Sequence, residues 1–265
     1  MIHVRVGKTG CLLVAALALC VAVSAPVFGA NCTPLSTTIQ DLDFVNGVLD
    51  PAILQKFVTE LPNPLSPGFI YQPVDTIGGE SHYAVSMREI TQSIGLIDSN
   101  GCPLPPSKLW AYGDARGGSA PSASHSYPGA TFEARSNTPL RVTWTNELPS
   151  KHIFAIDPTL DGGPNAPNNF PENRAVVHVH GAHVTDDSDG LPEYWFTPNF
   201  ALVGTKWAPN NQYGPTGTSR YPNTQESATL FYHDHAHGVT HYNVDAGLAG
   251  FYLVRDGNEL NLQKT

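Results

Sequence analysis

Basic residues are scarce in this chain of 265 residues, where 14 Lys and Arg stand against 23 Asp and Glu for a formal charge of −9. They gather nowhere into a cluster, which argues against nucleic acid as a partner. Long apolar runs are scarce too. The uncharged stretch from Cys11 to Val23 is too short and too weakly flanked to predict a membrane span in the mature chain. Cysteine numbers only 4, with no C-x-x-C spacing and none near the histidines, so no cysteine is counted as a metal ligand. No repeat period or low-complexity tract stands out. What is plentiful is glycine (24) and proline (23), a composition of many turns rather than long helices. At this length the chain can bury a proper core, as one large domain or a domain with appendages.

The N-terminus reads as an export signal. Arg5 and Lys8 precede the uncharged run, and small residues follow around Ala25 to Ala30. Val23-Ser24-Ala25 and Val27-Phe28-Gly29-Ala30 both fit a cleavage site, and Leu19 before Cys20 argues against lipoprotein attachment. A secreted, periplasmic or cell-surface location is therefore expected. Removing the signal leaves Cys32 and Cys102, an even pair that outside the cytoplasm is expected to form a disulfide. Beyond it the pattern predicts one short helix. Asp50 can cap it, Pro51 suits its first turn, and Ile53, Leu54, Phe57, Val58 and Leu61 make an apolar stripe that Pro62 and Pro64 end.

From Tyr83 onward the pattern is one of strands. Tyr83, Val85 and Met87 alternate with polar neighbours, as do Leu140, Val142 and Trp144. Ala175, Val177 and Val179 make another series, Leu230 and Tyr232 a further one, and Phe251 to Val254 the last. Pro/Gly/Asn-rich connections at 113–129, 157–173 and 205–223 separate them, which predicts an antiparallel β-sandwich.

Two of these strands end in histidine pairs, His178-Val179-His180 and His233-Asp234-His235. In extended chain, residues two apart share a face, so each pair points one way. Neutral imidazole suits zinc, copper, iron or nickel, and two such strands side by side would gather four of them. Polar residues at alternate positions are ordinary on a surface strand. Two pairs, each closing an apolar strand, are not. Asp234 points away from its flanking histidines and reads as a residue that supports them or faces solvent. His183, His237 and His241 read as partly exposed polar residues near the site, and His82, His125 and His152 as lacking partners.

The segments Ser126–Pro149, Val177–Phe196 and Leu230–Arg255 together resemble the first cupredoxin domain of a multicopper oxidase, in the branch of spore-coat laccases and bilirubin oxidases. The motifs that carry the resemblance are His178-Val179-His180-Gly181, Asp186-Asp187-Ser188-Asp189-Gly190, Tyr232-His233-Asp234-His235-Ala236 and Asn243 to Gly250. The resemblance implies an all-β, cupredoxin-like Greek-key sandwich over 81–257. A signal (1–30) and an extension with the short helix (31–80) would precede it, and 258–265 would begin an inter-domain linker. It implies that His178 binds a type 2 copper and that His180, His233 and His235 bind a type 3 pair. This would be half of a trinuclear cluster that reduces dioxygen to water with electrons from a distant type 1 copper. Asp189 would be a catalytic acid in proton delivery, although Asp-Asp-Ser-Asp-Gly is also good turn chemistry, with Gly190 supplying unusual backbone angles.

The sequence also departs from that family. It has no H-C-H motif for a type 1 copper, and the later domain that would complete the cluster is not found in it. The expectation is an amino-terminal portion of an oxidase, inactive alone. Its missing C-terminal cupredoxin domains would bring the electron donor, whether phenol, pigment or metal ion. A non-catalytic exported copper-binding module is the alternative. A cupin-type mononuclear enzyme is disfavoured, because neither H-x-H is followed shortly by glutamate.

Overall fold

The computed structural model describes residues 32–34, 44–45, 48–116, 123–163, 169–207 and 217–262. The export signal expected over 1–30 lies outside them. Two sheets carry the fold. One contains β1 (Asp75–Ile77), β2 (Glu80–Gln92), β3 (Ser107–Asp114), β5 (Leu140–Asn146) and β7 (Thr218–Tyr221). The other contains β4 (Gly129–Arg135), β6 (Val177–His180), β8 (Ala228–Asp234) and β9 (Ala249–Arg255), in the order β6-β8-β9-β4. Among the described residues the α-helices are α1 (Thr240–Asp245), between β8 and β9, and α2 (Gly257–Leu262).

The all-β expectation holds, with a correction to strand direction. β2 runs parallel to β5, and β9 parallel to β4, so both sheets are mixed rather than antiparallel. Parallel neighbours need long crossovers, and here they run through other strands: β3 and β4 lie between β2 and β5 in the chain, and β5 to β8 between β4 and β9. One of the Pro/Gly-rich connections is not all loop, since β7 lies inside the span 205–223.

The expected N-terminal helix is replaced by a 3-10 turn over Pro51–Ile53. Its cap is as predicted, with the Asp50 side chain accepting from the Ala52 amide at 2.8 Å. The chain then extends, and Leu54–Gln55 pairs with Ile97–Asp98. Phe57 takes a left-handed φ of 59° and is fully exposed, so the apolar stripe buries nothing as a helix. Cys32 and Cys102 are joined in a disulfide, with Cα atoms 5.6 Å apart.

The core lies between the sheets. Val85, Met87, Val142, Trp144, Val177, Val179, Tyr232, Tyr252 and Val254 are all buried, each contributing about 1.5–3 kcal/mol through removal from water. Tyr232 sits at the centre. The rings of Tyr112, Phe132 and Trp144 lie 5.0, 5.4 and 5.9 Å away, and its hydroxyl donates to the Ala130 carbonyl at 2.7 Å. Gly250 lets β9 pass that ring, because a Cβ there would overlap it. Since the strand period is two, anchoring Val177, Val179 and Tyr232 inward turns His178, His180 and His233 to the outer face.

Candidate metal centre

β6 and β8 are antiparallel neighbours in a register that sets His178 directly opposite His233 and His180 opposite Phe231. The next pairing beyond β8 continues the ladder, with the His235 amide donating to the Val176 carbonyl at 2.8 Å. The structure therefore brings all four predicted histidines together. Ring centroids of His178 lie 5.6 Å from His180, 5.6 Å from His233 and 4.8 Å from His235. Ligand atoms of His178, His180 and His233 fall within 4.8 Å of one another. His233 is buried, His178 and His235 are half-buried, and His180 is exposed.

The ring nitrogens are sorted by backbone carbonyls. Nδ1 of His178 donates to the Asp189 carbonyl at 2.6 Å, Nδ1 of His235 to the Gly190 carbonyl at 2.9 Å, and Nδ1 of His233 to the Asp234 carbonyl at 2.7 Å. Each of these bonds fixes the tautomer and leaves the Nε2 lone pair for a metal. His180 is turned the other way, its Nδ1 lying 3.2 Å from Nε2 of His233. Burial lowers the pKa of His233, which favours the neutral, ligating form.

The loop 186–190 supplies two of those carbonyls because of Gly190. Its φ is +71°, and a Cβ there would run into the Val177 carbonyl. Only glycine tolerates both conditions at low cost. The Asp189 carboxylate lies beside the same ring, with Oδ1 3.2 Å from Nδ1 of His178.

Asp234 does not face solvent: it is fully buried beneath the histidine face. It accepts the Val176 amide at 3.1 Å and the Ala236 amide at 3.0 Å. Burial pushes its carboxyl up to about 7, against the pull of those amides, Asn243 and Arg174. Arg174, itself pulled down to about 10 by burial, donates to the carbonyls of Pro171 and His237. From α1, Asn243 donates to the Arg174 carbonyl at 3.0 Å and accepts from Nε2 of His152 at 3.2 Å.

Several histidines differ from expectation. His152 has partners, accepting the Phe154 amide at 2.9 Å as well as bonding Asn243. His125 bonds Ser86 Oγ at 2.8 Å, and His82 lies between Asp75 at 2.6 Å and Thr143 Oγ1 at 2.8 Å. His183 and His241 are exposed and His237 is half-buried, in line with expectation, and His237 pairs with Asp161 at 2.8 Å. No residue pattern signals the carbonyls at Asp189, Gly190 and Asp234. Phe231, whose ring packs on His180 and His233, could have been found from its place two residues before His233.

The family model described as Multicopper oxidase matches residues 165–259, a span that includes all four histidines. The chain carries a multicopper oxidase domain. Laccase from Bacillus stratosphericus is 37% identical over 210 residues, covering 79% of this chain and 35% of that protein. Laccase from Bacillus subtilis (strain 168) is 36% identical over 210 residues, with the same two coverages of 79% and 35%. The chain thus spans about a third of the length of these laccases. Among solved structures, a multi-copper oxidase from Pediococcus acidilactici is 20% identical with a TM-score of 0.48, over 77% of this chain and 32% of that one. A multicopper oxidase domain implies copper as the metal, and the donor set suits it: imidazoles on rigid strands, with ring nitrogens freed by carbonyl hydrogen bonds.

Proposed function

We propose that this chain is the copper-binding leading portion of a laccase-like oxidase that reduces dioxygen to water. His178 would hold the type 2 copper, and His180, His233 and His235 would contribute to the type 3 pair. The remaining cluster ligands and the type 1 copper would come from polypeptide corresponding to the rest of the relatives' length. There the donor, a phenol, pigment or metal ion, would be oxidised. Export is part of the reading, supported by the charged and apolar pattern of Arg5 to Val23 and by the Cys32–Cys102 disulfide.

The observation that carries the proposal is the register of His178 against His233, with Nδ1 of each held by a backbone carbonyl. Copper bound there would supply one-electron redox chemistry toward dioxygen. The chain's own residues would do the rest. The carbonyls of Asp189, Asp234 and Gly190 hold three imidazoles in one tautomer, and Asp234 ties the two histidine strands together from beneath. Asp189, with its carboxylate beside His178 and part of it in solvent, would accept and pass protons at the edge of the site.

The test is to express this chain joined to the sequence encoded downstream, load it with copper, and record oxygen uptake with a phenolic donor. Sustained four-electron turnover is expected, lost in His235→Ala. A joined protein that binds no copper through these histidines, or binds it and consumes no oxygen, overturns the reading. Binding without turnover would favour the copper-binding module instead.

A further inference from the structure

We propose that Phe231 is a positioning residue for the histidine face, holding the rings of His180 and His233 in the orientation in which their nitrogens meet. This inference rests on the reading of those histidines as metal ligands. The pleat sets the arrangement: Phe231 is directly opposite His180 and two residues before His233, so all three side chains leave the sheet on one side. The Phe231 ring centroid is 4.9 Å from that of His180 with an interplanar angle of 18°, and 4.9 Å from that of His233 with an angle of 25°. A flat ring packed nearly parallel to two imidazoles resists their rotation and leaves their edges, which carry the nitrogens, uncovered.

His180 is the histidine that needs such support. Nδ1 of His178, His233 and His235 is each capped by a backbone carbonyl. In His180, Nδ1 is instead the nitrogen facing Nε2 of His233, at 3.2 Å, so it is on the side where a metal would be held. Its ring is exposed and packs against Phe231 and the neighbouring histidines. Carbonyls fix both tautomer and orientation for three imidazoles, and for the fourth the face of Phe231 fixes orientation. Phe231 is 42% exposed and is not among the apolar residues packed on the core between the sheets. Phe251 lies directly across from it on β9, exposed to 37%, and supplies the matched control on the same face.

The experiment titrates the full chain with copper(II) alone, reading affinity by calorimetry and ligand geometry by electron paramagnetic resonance. Phe231→Leu keeps apolar bulk but loses the flat ring. It is expected to weaken copper(II) binding about tenfold, the lower end of the loss seen when a ligand's orienting partner is removed, with altered copper hyperfine coupling and an unchanged thermal midpoint. Phe231→Trp should restore both affinity and spectrum, and Phe251→Leu should leave both as in the parent. In a His180→Ala background, Phe231→Leu should cost far less than it does alone. Parent-like binding in Phe231→Leu overturns the inference. So does equal loss in Phe251→Leu or Phe231→Trp, or a loss that is unchanged when His180 is absent. A parent chain that binds no copper, or one indifferent to His233→Ala, overturns the ligand reading and this inference with it.

Discussion

The carboxylate of Asp234 accepts the backbone amide of Val176 at 3.1 Å, so the residue between His233 and His235 is bonded to the strand that carries His178 and His180. A buried side chain thus does what a ladder hydrogen bond does elsewhere, at the point where the two histidine strands must stay in register.

Replacing Asp234 with Ala orphans two buried amides, those of Val176 and Ala236. Each costs about 1–3 kcal/mol when left without an acceptor. Urea unfolding should show Asp234→Ala losing stability on that scale, and Asp234→Asn losing less, because Asn retains one acceptor oxygen.

Gly190→Ala should damage both fold and site. The φ of +71° and the nearby Val177 carbonyl leave no room for a methyl group. A residue forced into such backbone costs about 1–3 kcal/mol. Any relaxation also moves the carbonyl that holds His235. A lower unfolding midpoint together with weaker copper(II) binding is the expected pair of results, read by thermal melts and calorimetry.

Stability should fall on mild acidification, in part through His152. Burial holds its pKa below the ordinary histidine value, so the unfolded chain takes up the proton first as pH falls. The contribution is complete above the unfolded pKa of about 6.5 and is lost as pH falls from there toward the folded value. Melting the metal-free chain between about pH 7.5 and about pH 5.5 should show this loss, and it should be smaller in His152→Gln.

The chain by itself should not turn over laccase donors. The proposed site offers four imidazoles, and the sequence has no H-C-H motif for electron entry. Oxygen electrodes should record no sustained uptake with copper and a phenol. Turnover by this chain that disappears in His235→Ala would contradict the incomplete-cluster reading.

The histidine face was legible because the pleat has a period of two and each pair closes an apolar strand: Val177 and Val179 behind one, Tyr232 behind the other. Other elements carried weaker or misleading patterns. In β3 the residues from Trp110 to Asp114 are all buried, so neither period appears. Around Phe57 a helical period is present, but the chain extends there and Leu54–Gln55 pairs with Ile97–Asp98. The supporting groups at the centre are mostly backbone carbonyls, and these have no residue type by which to be read.

The parallel pairing of β9 with β4 sets an order on how the face is made. β8, which carries His233, lies between β6 and β9, and β9 in turn lies along β4, which is far earlier in the chain. During synthesis, residues 129–180 can exist for some time with β6 unpaired and the first two imidazoles alone. The second pair arrives late, and its strand has both neighbours only when Arg255 has been made. Closing such distant contacts is slow. On the proposed ligand set, copper that met the chain earlier would find two histidines rather than four, and loading would follow synthesis, when the sheet is whole.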